Sequence, residues 1–152
     1  MDNTNKEQPY FKTSRKWAWK KCRDKIQVGN YMVSNVEYKT VVEYAKTQAL
    51  DGLWAYITPD MLPSLHVICE DFSFPERKKI FFWFLKKLLY EGHLKLAKHG
   101  KFLSGSIDEQ LQCFYDAFPE TEEELIDQFW FFDESCPGGA VWILQDGTQE
   151  WT

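Results

Sequence analysis

Ten carboxylates fall between residues 108 and 134, with no lysine or arginine among them. They are Asp108, Glu109, Asp116, Glu120, Glu122, Glu123, Glu124, Asp127, Asp133 and Glu134. Such a block has two chemical uses. A pair of carboxylates can serve as general acid and base, or a dense acidic surface can attract a basic partner. The run Glu122-Glu123-Glu124 follows Thr121, a helix-capping residue. Acids in a first helical turn ordinarily serve the cap and the dipole. The acid/base use is therefore set aside, and the ten residues are taken as the candidate partner-binding set. Solubility alone is the plain alternative for so many charges.

Other reactive side chains lack partners. His66, His93 and His99 stand at no metal-ligand spacing with each other or with Cys22, Cys69, Cys113 and Cys136. Cys136 precedes Pro137-Gly138-Gly139 but has no histidine near it in sequence. No nucleophile elbow, metalloprotease helix or phosphate loop is present. Gly138-Gly139 leads into a strand instead of opening a helix, so it is no phosphate site. The expectation is a protein with no catalysis, no metal and no cofactor.

The net charge of −5 conceals an asymmetry. Residues 1–100 carry 17 Lys+Arg against 11 Asp+Glu, a net +6; residues 101–152 carry Lys101 against 12 acids, a net −11. The basic side chains gather in two places. Residues 11–25 hold seven, interleaved with Trp17 and Trp19; residues 75–101 hold Arg77, Lys78, Lys79, Lys86, Lys87, Lys95, Lys98 and Lys101. Basic residues with aromatics suit nucleic acid or a membrane surface, folding of residues 11–25 back on the acidic half is an equal alternative, and a helix followed by a basic hairpin suggests a winged helix. A nucleic-acid-binding module using 11–25 or 75–101 is therefore the second reading. Against it, the acidic half adjoins.

A chain of 152 residues with 12 Phe, 7 Tyr and 7 Trp can bury one sizeable core. The longest apolar run, Ile80 to Leu85, is far short of the ~20 residues of a membrane span. The first nine residues contain no hydrophobic stretch, so no secretory signal is expected. Free thiols in the cytoplasm are the corresponding expectation for the cysteines.

The elements that must position the acids follow from caps and turns. Residues 1–35 read as an N-terminal basic and aromatic segment, attached or partly flexible, with Val28 to Val36 open between strand and loop. Residues 36–152 read as one globular α+β domain, predominantly helical, ending in an antiparallel hairpin or small sheet. Asn35 is read as the N-cap of a helix to Leu50, which Asp51-Gly52 ends or kinks. Thr58-Pro59-Asp60 predicts a short helix to about Cys69. Ser73 and Glu76 form a capping box that opens the strongest helix, Phe74 to Glu91, with Gly92 beyond it. On it Trp83 either packs under another element or is exposed. His93 to Gly105 reads as a small hairpin turning at His99-Gly100. Ser106 with Glu109, and Thr121 with Glu124, cap two further helices, the first stopped by Pro119. In the last stretch Asp146-Gly147 predicts a two-residue type I′ turn. That register places Trp142 against Trp151 as a cross-strand clasp.

Three pieces carry a family likeness: Glu91-Gly92-His93-Leu94-Lys95-Leu96-Ala97, Gly100-Lys101-Phe102-Leu103-Ser104-Gly105-Ser106, and Cys136-Pro137-Gly138-Gly139-Ala140-Val141-Trp142 with Asp146-Gly147 and Glu150-Trp151-Thr152. The chain, from about Leu53 onward, resembles a small bacterial family of formerly unknown function. Members stand beside contact-dependent growth inhibition toxins and are taken to be their immunity proteins. The resemblance implies a cytoplasmic α+β domain without catalysis. It implies binding to the C-terminal toxin domain of a matching effector, a nuclease in many such systems. A nuclease is basic because its substrate is polyanionic, and the acids of 108–134 are then the natural docking face. Aromatics beside it, such as Trp130 or Tyr115, are candidate anchors, with core packing the leading alternative for most of them.

Overall fold

The structure, a computed structural model, describes residues 25–152. Residues 11–24 of the basic-aromatic segment, and Cys22, lie outside the described residues. Strands β1 (Lys25–Val28) and β2 (Tyr31–Ser34) form an antiparallel hairpin around Gly29-Asn30. Val28 and Val33 are buried in the main core, so residues 25–34 pack with the domain that follows.

Helix α1 (Asn35–Ala45) is capped by Ser34, not Asn35. Ser34 accepts from Glu37 N (3.1 Å) and Glu37 returns a bond to Ser34 N (2.8 Å), a full capping box. The other Glu37 oxygen reaches Ser64 N at 2.7 Å, so one buried carboxylate joins two segments. The helix stops at Ala45, and Asp51-Gly52 lies inside a second helix, α2 (Leu50–Tyr56). Burial of Leu50, Leu53 and Trp54 outweighs the ~1 kcal/mol that glycine costs a helix. The helix expected after Thr58 does not form. Turns take its place at Pro63–Leu65 and Cys69–Asp71. Pro63 forces Leu62 out of the helical region (φ −128°, ψ 64°), and His66 is left-handed (φ 56°).

Helix α3 (Phe74–Tyr90) begins at the Ser73–Glu76 box and runs through the centre of the molecule. It buries Ile80, Phe81, Phe84, Leu85, Leu88 and Leu89. Glu91 caps it and Gly92 takes the positive φ (80°) of the terminating position. Trp83 is half-buried and packs edge-on against Tyr38 of α1.

A four-stranded antiparallel sheet has the order β4-β3-β5-β6. Its strands are β3 (Leu94–Lys98), β4 (Lys101–Phe102), β5 (Gly139–Ile143) and β6 (Gln149–Trp151). His99 and Gly100 both have positive φ, the requirement of a two-residue type I′ turn. Leu94 pairs with Trp142 and Leu96 with Ala140, and all four are buried. Gly138 lies where a Cβ would meet the Ala97 carbonyl at 3.0 Å, so the β5 entry needs glycine there.

The last hairpin corrects the expected register. Trp151 faces Val141, and Trp142 faces Glu150. Gly147 N donates to Leu144 O, and Leu144 N to Thr148 O. Of the turn residues only Gly147 has positive φ (87°). The loop is thus three residues, a type I turn followed by a glycine bulge, and Asp146 supports it by accepting from Thr148 N at 2.9 Å. The extra residue shifts pairing by one and sends the two tryptophans to opposite faces. Trp142 enters the core, where its indole donates to Gln48 O at 2.7 Å. Trp151 stays half-exposed and stacks on Phe102 (5.1 Å, 31°). The clasp does not form.

Between β4 and β5 lie α4 (Ile107–Ala117), capped by the Ser106–Glu109 box, and α5 (Glu122–Asp127), capped by Thr121. A 3-10 turn follows at Trp130–Phe132. Together these elements make an α+β domain with its small sheet at the C-terminal end. Among the described residues no helix is long and apolar enough to cross a membrane.

Candidate docking surface

The structure divides the ten acids by what they touch. Glu109 is held by the Ser106 backbone N–H and hydroxyl, which keep its carboxyl below the usual range. Thr121 caps α5 by accepting from the Glu124 N–H (3.2 Å), and the Glu124 carboxylate accepts from the Thr121 hydroxyl (3.2 Å) without closing the full capping box. Asp133 accepts from the Ser135 hydroxyl (2.6 Å) and N–H (2.9 Å), which lower its pKa. Glu134 is lowered by His99 and then Lys98, at 3.1 and 3.5 Å. Asp108 accepts from Tyr90 and Asp116 from Gln112, each at 2.7 Å. Glu122 lies 3.8 Å from Arg77, too far for a hydrogen bond. Glu120, Glu123 and Asp127 make no side-chain hydrogen bond or ion pair with any described residue.

Two of these three share α5. Glu123 and Asp127 are four residues apart, so they are neighbours on the helix surface, and like charges there oppose the helix by ~0.2–0.5 kcal/mol. Leu125 anchors the helix in the core, which turns Ile126 outward at 49 % exposure. Just beyond, Phe129 is 72 % and Phe132 65 % exposed. Phe129 is also left-handed (φ 51°). That conformation costs a side-chain-bearing residue roughly 1–2 kcal/mol, and a bulky residue in it is uncommon.

Beside these residues opens a cavity of about 320 Å³, lined by α2, the first turns of α3, and α5 with its following turn. Its walls are Trp54, Ala55, Leu125, Ile126, Phe129, Phe131 and Phe132, with Asp51 and Arg77 as the charged members. Arg77 donates to Trp54 O (2.7 Å) and lies over the Trp54 ring at 4.5 Å. Burial lowers its pKa, and Glu122 opposes that shift. Trp54 Nε1 and Arg77 Nε are buried without an acceptor among the described residues. An unmade buried hydrogen bond costs about 1–3 kcal/mol.

Of the two aromatics named as anchors from the sequence, one is buried and one is at the surface. Trp130 is buried against Phe114 and Phe118. Tyr115 is half-exposed, with the Lys78 ammonium 4.0 Å above its ring. Within residues 108–134 the large apolar side chains at the surface are Tyr115, Ile126, Phe129 and Phe132. The Phe-Trp-Phe-Phe run beside the acids was the available signal. Which of its rings face out depends on the Phe129 backbone, which no local pattern states.

The basic stretch 75–101 is largely engaged within the domain. Lys87 pairs with Glu91 at 2.7 Å, Lys98 donates to Cys136 O at 2.9 Å, and Lys95 and Lys86 lie over Phe102 and Tyr90. Helix α3 faces the core and does not offer itself to a groove. A cleft of about 700 Å³ lies between α1, the end of α3 and β5. Its central carboxylate, Glu91, is bonded by Lys87 and by the Tyr38 hydroxyl (2.9 Å). The Cys136 thiol is buried and pushed up to about 11, so it is neutral and not an activated nucleophile. Among the described residues no group of three or more His, Cys, Asp or Glu could hold a metal.

Comparison with known proteins adds a family. Residues 89–152, the sheet with α4 and α5, match a family described as "Protein of unknown function, DUF596". No curated protein matches the chain. Among solved structures the chain is similar to an uncharacterized protein conserved in bacteria, from Neisseria meningitidis. The two share 30 % identity over 77 % of this chain and 88 % of that one, with a TM-score of 0.60. The chain belongs to the same bacterial family as that protein.

Proposed function

We propose that this member of the family is a non-catalytic immunity protein. On this reading it acts in the cytoplasm, binding and neutralising the C-terminal toxin domain, a nuclease, of a contact-dependent growth inhibition effector. The observation that carries the reading is the α5 corner: Glu123 and Asp127, without a partner among the described residues, beside exposed Ile126, Phe129 and Phe132. A nuclease presents a basic surface to its substrate. Unpaired acids steer such a partner into encounter, and large apolar side chains at the centre of the contact supply most of the affinity. The already bonded acids, Glu109, Glu124 and Asp133, hold the helices and turns that present the corner.

Co-expression with the toxin domain encoded beside the protein tests this. Rescue of growth and co-purification of the pair are expected. Failure of both sinks the proposal. Tight RNA or DNA binding with a steep salt dependence would transfer the function to the nucleic-acid reading.

A further inference from the structure

We infer that the cavity between α2, the start of α3 and α5 receives one apolar side chain of a partner protein segment that carries lysine or arginine beside it. The inference rests on the docking reading above and adds the seat and chemistry of the anchor. About 320 Å³ is at the lower end of ligand-pocket volumes. It suits one or two side chains and is small for a cofactor. The lining is aromatic and aliphatic, so the inserted group is apolar.

Charge sets what flanks it. Asp51 lines the mouth, Glu122 stands next to it, and Glu123 and Asp127 share α5 with the Ile126 wall. The one cation, Arg77, is already stacked on Trp54 and bonded to a carbonyl. A carboxylate entering here meets like charges. An ammonium or guanidinium meets Asp51 and Glu122, the latter held only by a loose ion pair with Arg77 at 3.8 Å.

The probe is a set of three blocked hexapeptides: Lys-Lys-Leu-Phe-Lys-Lys, its Glu-flanked counterpart, and Lys-Lys-Ser-Ser-Lys-Lys. NMR shifts are followed on the full chain. The first peptide should move the Leu125 and Ile126 methyls and the Trp54 indole signal, and the other two should bind at least tenfold more weakly. Equal binding of the Glu-flanked or the Ser-Ser peptide overturns the inference, as do shifts that map elsewhere. Ala55→Trp, at an exposed helical position on the cavity wall, should plug the site and abolish the shifts while the fold persists. Shifts that survive this plug also overturn it. Peptide binding without rescue of toxin-expressing cells would support the cavity and sink the toxin reading. Rescue and co-purification undiminished by Ala55→Trp would sink the cavity and leave neutralisation standing.

Discussion

The four-stranded sheet and the α5 corner are built from the same materials, aromatics and charged residues, and use them in opposite ways. In the sheet Leu94, Leu96, Ala140, Val141 and Trp142 are buried. The polar groups there have partners: the Trp142 indole on Gln48 O, the Thr152 hydroxyl on Ala140 O at 2.7 Å, and Lys98 on Cys136 O. At the corner, phenylalanines face solvent, two like charges share a helix face, and two buried N–H groups lack acceptors among the described residues. Folding alone explains the first region. The second holds unfavourable terms that folding does not need, which is how binding surfaces differ from scaffolds.

Mutation should separate the two. Trp142→Ala is expected to cost about 3–5 kcal/mol by urea unfolding, because it empties a core site and orphans the Gln48 carbonyl. A loss below about 1 kcal/mol would mean the sheet is not the closed region described. Acid comes next. The carboxyls of Glu134 and Asp146 are held low, by His99 and by Thr148 respectively. Folded pKa values below unfolded ones give stability that is complete above the ordinary carboxylate range, about pH 4, and is lost as pH falls through the folded values. The melting temperature should therefore drop below about pH 4, and Glu134→Gln should flatten that fall. An unchanged acid limb in Glu134→Gln would discount the Glu134 contacts.

At the corner the signs reverse. Phe129→Gly should raise stability by about 0.5–1 kcal/mol, the left-handed penalty less the entropy of an added glycine. It should also weaken association with the basic partner at least tenfold. If the fold weakens and binding does not, Phe129 is scaffold and the contrast fails. Glu123→Lys exchanges the like-charge pair for an opposite one, but it also sets a cation in the first turn of α5 against the helix dipole, so stability should change by less than about 0.5 kcal/mol. It should slow association and reduce its salt dependence, as stopped-flow measurement would show. An unaltered rate would move the encounter surface off α5.

Much of the scaffold was legible because its signals are local. The boxes at Ser73–Glu76 and Ser106–Glu109 each announce a helix within four residues, and both form. Ser34–Glu37 carries the same signature, but Asn35, an equally good cap by type, drew the reading one residue too far. Asp146-Gly147 fits either a type I′ turn or a type I turn with a bulge, and the two differ by a full face reversal of β6. Gly52 inside α2 shows packing overruling propensity. The acids were visible as a block. What divides them is partners far away in sequence, such as Lys98 and His99 for Glu134. The apolar half of the corner was hidden, since burial of Trp130 and exposure of Phe129 and Phe132 follow from one left-handed residue.

The bond from Trp142 to Gln48 spans 94 residues of chain. During synthesis at ~5–20 residues per second, that contact waits about 5–20 s after Gln48 has emerged. Through that interval the link between α1 and α2 lacks the strand that closes over it, and long-range pairing of this kind is slow to form. The nascent chain therefore completes this part of its core only once β5 has been made. A truncation within β5 should leave a collapsed, protease-sensitive chain, not a smaller folded domain.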